Sequence, residues 1–293
     1  MKKRLLGLLA IFGLLLGVLP VGASAAGSGE SVIYGGGPFY SGGTATMNSL
    51  RSSGYTTVML WTIHVNSNGD LVYNDQLVVS QGKYVGKAAW PSELASLKQA
   101  PTSVKRIEIS IGSADVNDFH NIKSLIASQG TGTSSILYKN FSALKTALGA
   151  DAASFDDEDL YDVNTSVSLG NMLSGLGYKI TLCPYSNVTY WKSIKTQLGS
   201  KVDRVYLQVY SGGSWNDPAA WSKNLGMPVM PGLDSKTPTY GNTPSQVQSR
   251  MTNWKSSAGI TGGFMWLYDD MLKYPSYGSP ADYAKAINTA LGS

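Results

Sequence analysis

The 293-residue chain has a single cysteine, only two histidines, and charge on just 14% of its residues. Each scarcity excludes something. With Cys183 alone no disulfide can form within the chain, so the fold must rest on its core. Cys183 lies in "KITLCPY" and reads as a small buried hydrophobe and not as a nucleophile. His64 and His120 are too far apart in the pattern to pair on a metal. Neither lies near the cysteine, and both read as structural or loop residues. No G-x-G-x-x-G follows the first apolar run. "IYGGGPFY" lacks that spacing and a Walker lysine, so it reads as a tight turn at the mouth of the first strand and not as a dinucleotide or P-loop site. No linker, repeat or low-complexity block appears, and no second domain is expected.

Long apolar runs are also absent, with one exception. Lys2, Lys3 and Arg4 precede "LLGLLAIFGLLLGVLPVG", and Ala23-Ser24-Ala25 supplies the small residues of a cleavage site. Residues 1–25 are therefore expected to be a secretory signal peptide, cleaved after Ala25, with a secreted protein of residues 26–293. Cleavage would remove three positive charges and lower the formal charge from +4 to +1. The pI near 8.9 thus owes much to the leader. What remains has no basic bias calling for nucleic acid, and no membrane association is expected after cleavage. A monomer is the expected state.

What the chain does contain is a succession of short apolar runs separated by helical patterns. Strands are expected at 31–36, 56–63, 104–112, 151–158, 178–185, 203–211, 227–233 and 261–268. Most are apolar on both faces, as parallel strands covered by helices are. Between them, "DVNDFHNIKSLIASQG" spaces Val116, Phe119, Ile122 and Leu125 three apart, and "NFSALKTALG" offers Asn140 as a cap. "NTSVSLGNMLSGLG" offers Asn164 or Thr165, and Thr243-Pro244 and Ser279-Pro280 open two more helices. Eight alternating units in about 268 residues predict an α/β fold, a single (β/α)8 TIM barrel. Residues 64–90, with a "SNGD" turn, are expected to be a β-hairpin inserted after strand 2 and lying over the C-terminal face.

"DAASFDDEDLYD", residues 151–162, concentrates six acidic residues in a chain sparing with charge. Alternation along a strand puts Ser154, Asp156 and Glu158 on one face and Ala153, Phe155 and Asp157 on the other. Phe155 suits the helix layer, which sends the 154–156–158 set into the barrel, with Glu158 at the rim where barrel active sites collect. Asp156 and Glu158, about 6 to 7 Å apart along the backbone, can repel one another or share a proton. Either raises one pKa and keeps a carboxylic acid protonated near neutral pH. Asp159 and Asp162 are read as an acidic loop or a cation site.

The spacing of Asp151, Ser154, Asp156 and Glu158 resembles the D-x-x-D-x-D-x-E strand of family 18 glycoside hydrolases, the chitinases and endo-β-N-acetylglucosaminidases. "FDDE" looks like the endoglycosidase branch. "EISIGS" (108–113) is similar to the family's S-x-G-G, "LQVYS" (207–211) to its Q-x-Y-N and "GGFMWLYDD" (262–270) to its G-x-M-x-W. The resemblance implies a secreted retaining glycosidase acting on β-linked N-acetylglucosamine in chitin, N-glycans or a cell-wall or biofilm polymer, with no metal or organic cofactor. Glu158 would protonate the glycosidic oxygen and the substrate's own acetamide would act as nucleophile. Asp156 would orient the acetamide nitrogen, Tyr210 would hydrogen-bond its oxygen, and Trp266 would floor the sugar. Gln208, Tyr185, Trp61 and Ser154 are expected to line the site. The chain departs from the pattern at Ser154, where the family has an aspartate, and at Ser113, where it has a second glycine.

Aromatic content fits a sugar cleft, with 7 Trp and 17 Tyr; Trp61, Tyr185, Tyr210, Trp215 and Trp266 fall at or just past predicted strand ends. Two other readings stay open. One is a sugar-binding protein on the same barrel with little or no hydrolysis, which Ser154 favours and Glu158 opposes. The other is hydrolysis of a glycan without N-acetyl groups, which would need a second carboxylate such as Asp234 or Asp269.

Overall fold

Among the described residues eleven strands follow one another: β1 (Glu30–Gly35), β2 (Thr57–Val65), β3 (Leu71–Tyr73), β4 (Gln76–Ser80), β5 (Lys83–Tyr84), β6 (Arg106–Ile111), β7 (Ala152–Phe155), β8 (Lys179–Leu182), β9 (Val202–Gln208), β10 (Met230–Asp234) and β11 (Gly262–Trp266). The computed structural model describes residues 29–292, so the leader expected at 1–25 lies outside the described residues. Eight of the strands are parallel and form a ring, because β1 bonds to both β2 and β11. These are the eight runs expected from the sequence, with ends shifted by a few residues. The protein is a (β/α)8 barrel. Among the described residues no helix is long and apolar enough to cross a membrane.

Alternation along the ring strands divides the buried side chains into two sets. Ile33, Val58, Leu60, Ile109, Ile111, Phe155, Leu182, Val205, Leu207 and Met265 point outward and pack under the helices. Val32, Tyr34, Met59, Cys183, Tyr206, Met230 and Phe264 point inward and fill the barrel. The helices meet the outer set with stripes of 3.6-residue period. Ile136–Leu148, for example, buries Leu137, Phe141, Leu144 and Leu148.

Capping agrees with the sequence at two helices and corrects it at two others. Thr243 and Ser279 cap Pro244–Ala258 and Pro280–Leu291 through reciprocal side-chain bonds with Gln246 and Asp282. Asn140, expected as a cap, lies inside a helix that Ser135 caps, and Asp162, not Asn164 or Thr165, caps Val163–Gly175. The helix that includes Phe119, Ile122 and Leu125 starts at Asp118, which leaves Val116 outside it.

The insertion after β2 is also more than a hairpin. β2 runs on to Val65 and pairs antiparallel with β3, which pairs with β4, which pairs with β5. This meander does not lie flat over the barrel mouth. Its β2–β3 and β4–β5 turns are held against the outer helix by buried Asn140, whose Nδ2 donates to Gly69 O at 2.6 Å while its Oδ1 accepts from Gly82 N at 2.6 Å. The β3–β4 turn stays beside the mouth, where Tyr73 donates its hydroxyl to the carbonyls of Gly35 and Gly36. Asn140→Ala would strand both backbone groups and should lower the unfolding free energy by about 1–3 kcal/mol, read from a urea midpoint. An unchanged midpoint would show that Asn140 does not anchor the meander.

Candidate active site

The inner column of β7 was the central expectation, and the backbone carries it past the strand's end. Asp156 N donates to Ile111 O at 2.9 Å, so the extended alternation continues beyond Phe155. Phe155 packs edge-to-face on Phe119 in the outer layer, with ring centroids 5.9 Å apart. Ser154 and Asp156 are buried on the opposite side, inside the barrel, and Glu158 stands half-buried at the mouth. Gly112, just past the end of β6, lets this backbone approach. Its φ is +92°, and a Cβ there would lie 2.5 Å from Asp156 O.

Gln208, at the end of β9, joins the two carboxylates. Its Nε2 donates to Asp156 Oδ1 and to Glu158 Oε1, each at 3.0 Å. An amide has two N–H groups, and here one amide serves both acids. No ion pair reaches Asp156 or Glu158 among the described residues. The contrast with the opposite end of the barrel is sharp. There the buried Glu108 accepts from Arg106 Nε, Tyr206 Oη and Thr181 Oγ1 at 2.6, 2.6 and 2.8 Å.

Without a cation, burial dominates at the mouth. It pushes the Asp156 carboxyl well above the usual carboxylate range, and the charge of Glu158 adds to the rise. Burial also raises Glu158, while its hydrogen bonds with Gln208 and Asp156 oppose the rise. The pair therefore keeps a proton at pH values where ordinary carboxyls have lost theirs.

Aromatic rings surround the column. Trp61 meets Trp266 with centroids 4.3 Å apart and planes at 83°, and Tyr210 lies nearly parallel to Trp266 at 6.2 Å. The peptides after Trp61 and Trp266 are cis. Burial, with the surrounding acids, holds the Tyr210 phenol well above its ordinary range, so it remains a neutral donor. Tyr185 sits half-buried to one side, against the turn at Gly212. Trp215, expected near a strand end, is 94% exposed and stands apart from these rings.

Two inward residues carry no sequence signal beyond their parity with Val32 and Thr181. Tyr34 donates to Cys183 Sγ at 3.4 Å, directly beneath Asp156 and Gln208. Burial raises the Cys183 thiol, which keeps it an inert thiol, as its apolar context predicts.

The remaining acids of the opening segment hold the chain in place. Asp151 accepts from Ile107 N at 2.8 Å and pairs with Lys98. Asp157 faces outward and accepts from Leu160 N, Tyr161 N and the Tyr190 hydroxyl. Asp162 is a helix cap paired with Lys123, in place of the loop or cation role expected of it, and Asp159 accepts from Val116 N. His64 bonds through Nδ1 to Asp118. The two alternative carboxylates are engaged elsewhere, Asp234 with Asn242 Nδ2 at 3.0 Å and Asp269 with Gly36 N at 2.9 Å.

Ser154 is the departure from the family pattern, and its Oγ is buried without a hydrogen-bond partner among the described residues; so is that of its register neighbour Ser110. Removing a hydroxyl that bonds nothing carries no hydrogen-bond loss. Ser154→Ala should therefore unfold within about 1 kcal/mol of the parent in a denaturant titration. A larger loss would mean that Ser154 is bonded in solution.

No protein-family model and no curated protein matches the sequence. Solved structures do match the fold. A fungal endo-β-N-acetylglucosaminidase from glycosyl hydrolase family 18 superposes with a TM-score of 0.68 at 18% identity, covering 89% of this chain and 98% of its own. A family 18 chitinase catalytic domain from the fern Peteris ryukyuensis gives 0.63 at 16%, covering 90% and 100%. A mutant chitinase from Cycas revoluta, solved in complex with (GlcNAc)4, gives 0.59 at 11%, covering 88% and 99%. The chain thus has the fold of the family 18 chitinases and endo-β-N-acetylglucosaminidases.

Proposed function

We propose that this protein is a glycosidase that cleaves β-linked N-acetylglucosamine glycans with retention of configuration. The observation that carries the reading is the clamp of Gln208 on Asp156 and Glu158, two carboxylates without an ion pair, at the barrel mouth beside Trp61, Tyr210 and Trp266. Burial keeps a proton on this pair, and Glu158, the more exposed member, delivers it to the glycosidic oxygen. The acetamide oxygen then closes on the anomeric carbon as the leaving-group bond breaks, giving an oxazolinium ion. Asp156 accepts from the acetamide N–H and offsets the positive charge that develops there. Tyr210, a neutral phenol, donates to the acetamide oxygen, and the Trp266 ring lies against the sugar's C–H face. Water, deprotonated by Glu158, opens the oxazolinium from the face the leaving group left.

The sequence of residues 1–25 fits a secretory leader, which supports an activity outside the cell. The Cycas chitinase's complex with (GlcNAc)4 guides the choice of substrate to test. Ser154 favours a second reading, a sugar-binding protein that turns over slowly, because its hydroxyl cannot compete for the proton of Asp156 as a carboxyl would. Incubating the purified protein with chitooligosaccharides and N-glycoproteins distinguishes the two. New reducing ends whose first-formed anomer is β, by NMR, support the glycosidase. Saturable binding without product selects the sugar-binding protein, and no binding of either glycan removes both.

A further inference from the structure

Three inward side chains from consecutive ring strands meet beneath the barrel mouth: Asp156 past β7, Cys183 past β8 and Gln208 at the end of β9. Cys183 N donates to Phe155 O at 2.8 Å, which carries the β7–β8 register one residue beyond the paired Phe155 and Leu182. Asp156 and Cys183 are therefore neighbours on adjacent strands, both turned inward and both buried. Gln208 flanks the thiol on its other side, with Nε2 3.7 Å from Cys183 Sγ. From across the barrel, Tyr34 of β1 donates its hydroxyl to the same sulfur at 3.4 Å. The thiol thus accepts from Tyr34 and has its own S–H to give, and a hydrogen bond joins it to the Asp156 carboxylate beside it. A thiol is a weak donor, but an O–H donated to its sulfur strengthens the S–H in turn.

We propose that Cys183 is a positioning residue for the reaction: its S–H, backed by the Tyr34 hydroxyl, donates to ionised Asp156 and so steers the shared proton onto Glu158. The inference rests on the proposed function, in which Glu158 must hold the proton while Asp156 is free to accept from the acetamide N–H. Burial, then the charge and hydrogen bond of Glu158, push the Asp156 carboxyl up and favour the proton there; the Cys183 hydrogen bond opposes them. The other neighbours do not discriminate between the acids. Gln208 reaches each of them at 3.0 Å. Ser154, one step down the same face, bonds nothing among the described residues.

Few titratable groups face this contact. Tyr34 comes from β1 and Tyr210 from just past β9, and burial holds both phenols neutral. Tyr206 of β9 gives its hydroxyl to Glu108. Glu158 and Asp157 come from the segment after β7, Asp159 and Asp115 act on Glu158, and Asp234 of β10 acts on Tyr210. No lysine, arginine or histidine pairs with Asp156 among the described residues. Burial first, then the charge of Asp156, keeps Cys183 protonated, so its S–H is present throughout the range in which the two acids titrate.

The first test is the pH profile of kcat on a chitooligosaccharide for the parent, Cys183→Ala and Cys183→Ser. Alanine removes a donor that helps only the states in which Asp156 is ionised. On the acid flank, where both acids hold protons, kcat should fall by about three- to tenfold. On the alkaline flank both acids are ionised and the active and inactive states lose the bond alike, so kcat should stay within about twofold of the parent. Serine, whose hydroxyl also accepts from Tyr34 and donates to Asp156, should restore the acid flank. An equal fall on both flanks, no fall, or a loss that serine does not restore overturns the proposal. The second test needs no turnover. Cys183 is the chain's one cysteine, so its S–H stretching band in the Raman spectrum is unambiguous. At the alkaline end of the profile the band should move to higher frequency in Asp156→Asn, where a neutral amide replaces the charged acceptor. An unmoved band overturns the hydrogen bond and leaves the proposed function standing. A band that moves in a protein that turns over no glycan overturns the proposed function instead.

Discussion

Glu158→Gln should leave a folded, glycan-binding protein whose turnover is reduced by about 10²–10⁴-fold, the usual contribution of a positioned general acid. The substitution isolates the proton because it changes little else. Glu158 Oε1 accepts from Gln208 Nε2 at 3.0 Å, and a glutamine can turn its own amide oxygen to that donor. Half-burial of the side chain is preserved, and no ion pair is broken, since Glu158 has none among the described residues. The measurement is initial rate on a chitooligosaccharide beside the dissociation constant for the same sugar. Turnover within a few-fold of the parent would remove Glu158 as the acid and return attention to Asp234 and Asp269.

Asp156→Asn should lose turnover by about 10²-fold or more, the scale of one electrostatic stabiliser, and should also change how stability depends on pH. Asp156 is only 4% exposed, and burial first, then the charge of Glu158, raises its carboxyl. An acid whose value is raised by folding binds its proton more tightly in the native state. Its stabilising effect is therefore complete below the unfolded value near 3.9 and is lost as pH rises through the folded one. Over that window the parent should lose up to about 1.4 kcal/mol per pH unit for this one proton. The asparagine has no proton to lose, so the variant should gain on the parent as pH rises from about 4.5 to 8. Urea midpoints at both pH values check it. A difference between the two proteins that does not change with pH would mean that Asp156 is ionised throughout, and the proton would have to be placed elsewhere.

Much of this site was legible because it depends on parity. A two-residue period is a local property of extended chain, so placing Phe155 under the helices fixed Asp156 on the inside before any partner was known. The apolar runs placed Tyr210 and Trp266 at or just past strand ends. Neither signal could find the Gln208 clamp. That contact joins residues 50 and 52 positions apart, and it exists only because β7 and β9 flank β8 in the closed ring and turn these side chains into the same interior. Tyr34 and Cys183, 149 positions apart, meet for the same reason.

The errors have a common cause as well. Asn140 has the composition of a cap and stands before an apolar run, yet the helix starts earlier at Ser135, and Asn140 is used sideways to hold Gly69 and Gly82. Asp162 looked like loop charge until the following helix gave its carboxylate an N–H to accept from. In both cases a side chain's role was set by backbone groups distant in sequence or by the point at which a helix began, and neither is encoded in the residue's own neighbourhood.

By itself, the order of residues determined the eight alternating units, the two faces of each strand and the inward column at 154, 156 and 158, since these follow from backbone periods of 2 and 3.6 residues. Only the closed barrel decided that one amide would hold two acids, that those acids would lack the cations that Glu108 has, and that Cys183 would come to lie beside Asp156. Each of these depends on where strands far apart in sequence come together, and on how much water and charge that meeting excludes.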